Sequence, residues 1–162
     1  MNKKRFVFIT ISWLLVAVSM LLILKFSFEN KETSSETSKG VIENVLNIFM
    51  DENEITEEVI NKFQFPVRKI GHFSVYMLLG FCLANAFVQT VKLKKYYLYI
   101  FSVCTSFCYG MIDEFLYQNL SNGRAPSFID VLIDTSGSIF GVFLYMLLVL
   151  CTKKILKREV GI

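Results

Sequence analysis

The chain has 162 residues, of which 54% are apolar and only 19% are charged. A soluble domain usually has about 25% charged and about 45–50% apolar residues, so the composition argues against a soluble enzyme. Only 2 prolines are present, and a disordered chain is excluded as well. The net charge of +3 is not accompanied by a basic and aromatic platform that would bind nucleic acid. The sequence favours a single membrane domain over residues 1–162.

Four apolar blocks follow one another along the chain, each close to the ~20 residues that a helix needs to cross a bilayer. They cover residues 6–26, 70–91, 97–115 and 131–151, and none contains proline. Their side chains do not alternate in polarity as those of a barrel strand would. The four cysteines lie inside these blocks, so no disulfide is expected. We predict an all-α membrane protein with a bundle of four transmembrane helices.

The positions of Lys and Arg indicate the orientation of this bundle. Cations are concentrated before the first helix, between the second and third helices, and after the fourth helix. Because such segments stay in the cytoplasm, a multi-pass topology with both termini cytoplasmic is expected. The cations of this side are Lys3, Lys4, Arg5, Lys92, Lys94, Lys95, Lys153, Lys154, Lys157 and Arg158.

The first outer loop, residues 27–69, carries two amphipathic patterns. Its polar stretch, residues 29–40, is expected to be flexible. Apolar residues then recur at helical spacing over residues 41–49 and again over residues 59–63, where Pro66 should end the pattern. We predict short amphipathic helices that lie on the outer leaflet, cover the bundle as a lid, or serve only as a packing surface.

Polar side chains cluster at the outer ends of the second, third and fourth predicted helices. At about 1.5 Å per residue, they form one layer near the outer boundary. An ionisable group inside a span normally faces the bundle interior and has a partner, so we interpret this layer as a ligand-binding site or an interhelical network. The candidate residues are Arg68, His72, Tyr76, Glu114, Gln118, Arg124, Asp130 and Asp134.

Some of these residues also have structural interpretations. Ser127 with Asp130 three residues later resembles a capping box at the start of the fourth helix. Arg68 and Arg124 could be interfacial cations that extend toward water. On the third helix, Asp113 lies about 100° from Glu114 and need not point inward.

The fourth predicted helix combines carboxylates with small residues on one face. Asp130 and Asp134 share a stripe with Gly137 and Gly141. The G-x-x-x-G spacing allows the backbone of a neighbouring helix to approach closely. We therefore predict that Gly137 and Gly141 pack helices together and direct the two carboxylates inward.

Four ordered motifs resemble the VanZ-like family. They are RK-x-x-H-x-x-x-Y, G-x-x-D-E-x-x-x-Q, G-R-x-P-S-x-x-D and a final G-x-x-x-G, over residues 68–76, 110–118, 123–130 and 137–141. The resemblance implies a small bacterial protein of the cytoplasmic membrane, linked to low-level resistance to the glycopeptide teicoplanin without an established chemical mechanism. One departure is Asp134, where the family pattern usually has Asn.

The polar layer favours binding over catalysis. One His, several carboxylates and two Arg could hold a phosphate and move a proton, but no H-E-x-x-H or G-x-S-x-G motif is present. The favoured hypothesis is an outer-face pocket, without cofactor or metal, that binds an anionic envelope or lipid headgroup and lowers glycopeptide susceptibility. The alternative is a membrane enzyme acting on a lipid-linked phosphate or cell-wall precursor. A divalent-ion site of Glu114, Asp130 and Asp134 is a lesser alternative.

Overall fold

Five α-helices and one π-turn make up the part of the chain that the computed structural model describes. This part comprises residues 3–29, 31–50, 55–117 and 126–160, with the backbone alone at residues 31 and 154–160. No strand occurs within these residues. The elements are α1 (Lys3–Phe28), α2 (Lys31–Phe49), α3 (Glu57–Thr90), α4 (Lys95–Ile112), the π-turn (Asp113–Tyr117) and α5 (Phe128–Val160).

Three helices of the described chain are long and apolar enough to cross a membrane: Lys3–Phe28, Glu57–Thr90 and Phe128–Lys153. Large apolar side chains such as Phe8, Leu21 and Leu150 are exposed on their outer surfaces, as expected of a surface that faces lipid. α4 is shorter, at 18 residues, and contains four tyrosines. The chain is therefore an all-helical membrane protein, and a fourth crossing by α4 stays a prediction.

α3 is the central helix, and each of the other helices packs against it. On one side, Val16 and Ile23 of α1 belong to the same buried cluster as Leu79 and Leu83 of α3. On another side, Ala84 of α3 packs with residues of α5. One long helix thus carries residues into contact with every other part of the bundle.

Glycines bring α3 and α5 into backbone contact. A Cβ atom at Gly141 would lie 2.8 Å from the carbonyl carbon of Met77, closer than real Cβ atoms come. A Cβ at Gly137 would lie 3.0 Å from the carbonyl carbon of Phe73. Gly80 of α3 faces α5 in the same way. The α3–α5 seam therefore has no room for side chains at these positions, as in other small-residue helix contacts.

The polar stretch at residues 29–40 is mostly helical, because α2 begins at Lys31. Its small hydroxyl residues find acceptors inside the helix, as Ser38 Oγ donates to the carbonyl oxygen of Ser34 at 2.8 Å. Gln64 of α3 donates to Ser35 Oγ at 2.7 Å. The expectation of a flexible stretch is wrong because these polar groups are satisfied by α2 itself and by α3.

Pro66 does not end a helix. It lies inside α3, which begins at Glu57 after Thr56, whose hydroxyl oxygen accepts the Val59 backbone N–H at 3.4 Å. Proline removes the hydrogen bond to the carbonyl four residues earlier, that of Lys62. Both Pro66 and Lys62 are exposed, so this carbonyl can be hydrated. The second predicted short helix is therefore the first part of α3.

Candidate functional site

The polar layer lies at the end of the bundle where α1 and α4 end and α5 begins. Two predicted members, Gln118 and Arg124, lie outside the described residues. The other six are described: Arg68, His72 and Tyr76 on α3, Glu114 in the π-turn, and Asp130 and Asp134 on α5. The structure separates these six into two groups.

Asp113 connects three elements at the centre of the layer. Its side chain accepts hydrogen bonds from the hydroxyls of Ser27 on α1 and Tyr76 on α3, the latter at 3.2 Å. Asp113 is 1% exposed. Asp113 therefore points inward, and Ser27 is a member of the layer that the sequence interpretation missed.

The π-turn explains why two adjacent carboxylates are both buried. A π-helix closes its hydrogen bonds over five residues instead of four, so successive side chains are separated by a smaller angle than in an α-helix. Asp113 and Glu114 are each 1% exposed. The prediction placed them about 100° apart because it assumed α-helical geometry up to residue 115.

Glu114 joins the π-turn to the start of α5. Its Oε1 accepts the backbone N–H of Ser127 at 2.7 Å, directly before α5 begins at Phe128. The predicted capping box would have the Asp130 carboxylate accept this Ser127 N–H. Glu114 makes this contact instead, from a distant position in the sequence.

Two charge contacts join α3 to α5. The Lys69 ammonium pairs with the Asp130 carboxylate, and His72 Nδ1 lies 3.3 Å from Asp134 Oδ1. The second contact is an ion pair when the imidazole is protonated. The sequence interpretation chose Arg68 and missed Lys69. Helical spacing could have indicated this pairing, because residues three or four apart share a face of a helix. Lys69 and His72 are three apart on α3, and their partners Asp130 and Asp134 are four apart on α5.

Asp134 is the most isolated carboxylate of the layer. It is 1% exposed, and neither of its oxygens has a well-aligned hydrogen bond in the described part of the chain. Its contact with His72 is therefore the compensation for a charge buried between α3 and α5. Breaking such a buried pair from one side is costly because it leaves a charge without a partner.

A cavity of about 370 Å³ lies between α1, α2 and α3 and reaches Asp113. Its charged and polar lining includes Arg68, His72, Tyr76 and Glu29, the last residue lying directly after α1. Most of the wall is apolar, and it contains Ile23, Phe26, Val41, Val67, Ile70 and Val75. A mostly apolar wall with a few charged and polar groups suits an amphiphilic ligand.

The cavity divides the predicted layer. Arg68, His72 and Tyr76 line it, whereas Glu114, Asp130 and Asp134 do not. The second group makes the contacts that connect the π-turn and α3 to α5. His72 belongs to both groups, because it lines the cavity and contacts Asp134.

The described residues contain no group of three His, Cys, Asp or Glu side chains placed to hold a metal ion. The alternative of a divalent-ion site at Glu114, Asp130 and Asp134 is therefore wrong for this part of the chain. Each carboxylate contacts a different group: the Ser127 N–H, the Lys69 ammonium and the His72 imidazole, respectively.

An all-helical fold with membrane-length helices and a polar layer at one end defines the class as a helical membrane protein. The family model described as VanZ/LLP1 matches residues 10–149. The chain therefore belongs to the VanZ/LLP1 family, which confirms the resemblance of its motifs. Neither a curated protein nor a solved structure matches the chain.

Proposed function

We propose that this VanZ-like membrane protein binds an amphiphilic envelope molecule in the cavity between α1, α2 and α3. Arg68 holds an anionic headgroup, and the apolar wall holds a hydrocarbon chain. The ligand is a membrane lipid or a lipid-linked cell-wall precursor, and its binding lowers susceptibility to teicoplanin-type glycopeptides.

The observation that carries this proposal is the position of Arg68 in an otherwise mostly apolar cavity. A guanidinium group offers several donors in one plane and suits phosphate or carboxylate oxygens. Ile23, Phe26 and Val41 come from two helices and provide contacts for a chain. A small polar solute would leave these apolar side chains without a partner.

The cellular part of the proposal has two further supports. The cavity lies at the end of the bundle that the distribution of Lys and Arg assigns to the outside, where envelope molecules are accessible. The link to glycopeptides comes from the VanZ-like family, to which the chain belongs.

Lipid analysis of the purified protein tests the binding. We expect the parent protein to retain a stoichiometric anionic or phosphate-bearing lipid, and Arg68→Gln to retain at least about ten-fold less, because a charge-assisted contact is lost. Lys62→Gln is the matched control, since Lys62 is an exposed cation of the same helix. Equal lipid content in the parent and Arg68→Gln would contradict the proposal.

Antibiotic susceptibility tests the cellular role. In a teicoplanin-susceptible bacterial host, the parent protein should raise the inhibitory concentration, and Arg68→Gln should return it to that of cells without the protein. Immunoblots of membrane fractions must show equal abundance of both proteins. If cells with Arg68→Gln were fully protected, protection would not depend on binding in the cavity.

The contact between His72 and Asp134 favours a second candidate, a membrane enzyme acting on a lipid-linked phosphate or cell-wall precursor. A His at the cavity with a carboxylate behind it can accept and return a proton. Incubation of the purified protein with lipid-linked pyrophosphate distinguishes the two functions. An enzyme is supported if the parent protein releases phosphate and His72→Ala does not. Binding alone is supported if the parent protein leaves the lipid-linked pyrophosphate intact.

A further inference from the structure

We propose that the headgroup bound in this cavity is a zwitterion that carries an ammonium group beside its phosphate. This inference rests on the proposed binding function and specifies its ligand. Two kinds of molecule have such a headgroup, with a phosphate and an amine on one amphiphile. One is a membrane phospholipid, and the other is a lipid-linked precursor that carries an amine.

The charges of the cavity wall have both signs. Arg68 contributes a cation from α3, and Glu29 contributes a carboxylate from the chain directly after α1. Asp113 also lines the cavity, and its carboxylate accepts hydrogen bonds from Ser27 and Tyr76. A headgroup with phosphate alone would be attracted by Arg68 and repelled by Glu29. An ammonium on the same headgroup converts this repulsion into attraction.

Oxygen acceptors on α2 and in the chain directly after α1 fit such an ammonium. An ammonium group has three N–H donors and no acceptor, so it needs several oxygens around it. Ser34 and Thr37 of α2 line the cavity together with Glu29. The Thr37 hydroxyl donates to the carbonyl oxygen of Thr33 at 2.9 Å, so its lone pairs face outward as acceptors. The α1 and α2 walls thus suit the amine, and the α3 wall suits the phosphate.

The position of Asp113 is fixed by its contacts. Ser27 and Tyr76 hold its carboxylate from α1 and α3, and it is almost completely buried. Glu29 is half-buried nearer to the α1 terminus. Glu29 is therefore the carboxylate of the lining that is placed to meet the amine of a headgroup.

Binding of two lipids with identical acyl chains tests the inference. The purified full-length protein is titrated with phosphatidylethanolamine and with phosphatidylglycerol in detergent, and binding is followed by native mass spectrometry. We expect the parent to bind phosphatidylethanolamine at least about ten-fold more tightly. Glu29→Gln should remove this preference without weakening phosphatidylglycerol, because only the amine loses a charge-assisted contact.

Two further variants separate this inference from the proposed function. Arg68→Gln should weaken both lipids, since both carry phosphate, and Glu32→Gln is the control for an exposed carboxylate that lies outside the cavity lining. The proposal of a zwitterionic headgroup would be wrong if the parent bound both lipids equally, or if Glu29→Gln kept the preference. The proposed function would still stand in either case. If neither lipid bound, both this inference and the proposed function would be wrong.

The source of the ligand is read from the lipids that copurify with the protein. A diacyl phospho-amine identifies a membrane phospholipid, and an amine on a lipid-linked phosphate identifies an envelope precursor. A copurified lipid without any amine would overturn the inference.

Discussion

Within the described residues, the buried carboxylate of Asp134 has one charge contact, with the imidazole of His72. His72→Ala leaves the charge buried and alone, so we expect the free energy of unfolding to fall by about 3–5 kcal/mol. Asp134→Asn removes the charge at nearly constant size and should cost less than about 1.5 kcal/mol. Chemical unfolding in detergent measures both values.

The double variant provides the control for this prediction. His72→Ala combined with Asp134→Asn should be more stable than His72→Ala alone, because the carboxylate at position 134 is no longer present without its partner. If His72→Ala costs no more than Asp134→Asn, the two side chains are not coupled.

The hydroxyls around Asp113 lead to a second prediction at the scale of residues. Tyr76→Phe removes the donor at 3.2 Å and leaves Asp113 with one hydrogen bond fewer. We expect the free energy of unfolding to fall by about 1–3 kcal/mol, the usual cost when a buried acceptor loses its donor. Tyr97→Phe, at an exposed position, should change stability by less than about 0.5 kcal/mol. Equal effects of the two variants would show that the Asp113 contact contributes nothing.

At the scale of helices, the glycines of α5 and α3 provide a matched pair. Gly141→Ala places a methyl group against the backbone of Met77 and Phe81, so α3 and α5 must separate. Gly71→Ala places the same group in open space, where Ala should stabilise the helix by about 0.5–1 kcal/mol relative to Gly. Thermal unfolding should therefore move in opposite directions in the two variants. A stable Gly141→Ala protein would mean that the α3–α5 contact is loose.

The helices themselves follow largely from the sequence, because apolar blocks of membrane length have few alternatives to helix. The boundaries are less predictable. Pro66 is normally a reason to end a helix, and it is tolerated in α3 because it and Lys62 are exposed. The start of α2 at Lys31 depends on contacts such as that between Gln64 and Ser35, which local sequence does not contain.

For the molecule as a whole, cation placement predicts that the polar layer faces outward. Cysteine labelling in a variant without native cysteines checks this topology. Glu36→Cys on α2 should react with an impermeant maleimide in intact cells, and Lys94→Cys should react only after permeabilisation. Both positions are exposed, so access to reagent depends on the membrane alone. The reverse pattern would place the cavity at the cytoplasmic face.

The candidate site was predicted in part. Helical spacing places Arg68, His72 and Tyr76 on one face of α3, and all three residues line one cavity. Sequence does not reveal that α2 completes the cavity, or that Lys69 rather than Arg68 pairs with Asp130. The π-turn is also hidden, since no local residue pattern specifies the extra residue that turns Asp113 inward.

The central position of α3 has a consequence for biogenesis. The ribosome makes α1 first, and its buried face includes Ser12 and Ser19, whose partners on α3 are Asn85 and Cys82. Until α3 is synthesised, these hydroxyls have no interhelical partner in the bilayer. α4 and α5 emerge after α3 and find their packing surface already present. We therefore expect α3 to be the template for assembly, and the cavity between α1, α2 and α3 to form before α5 leaves the ribosome.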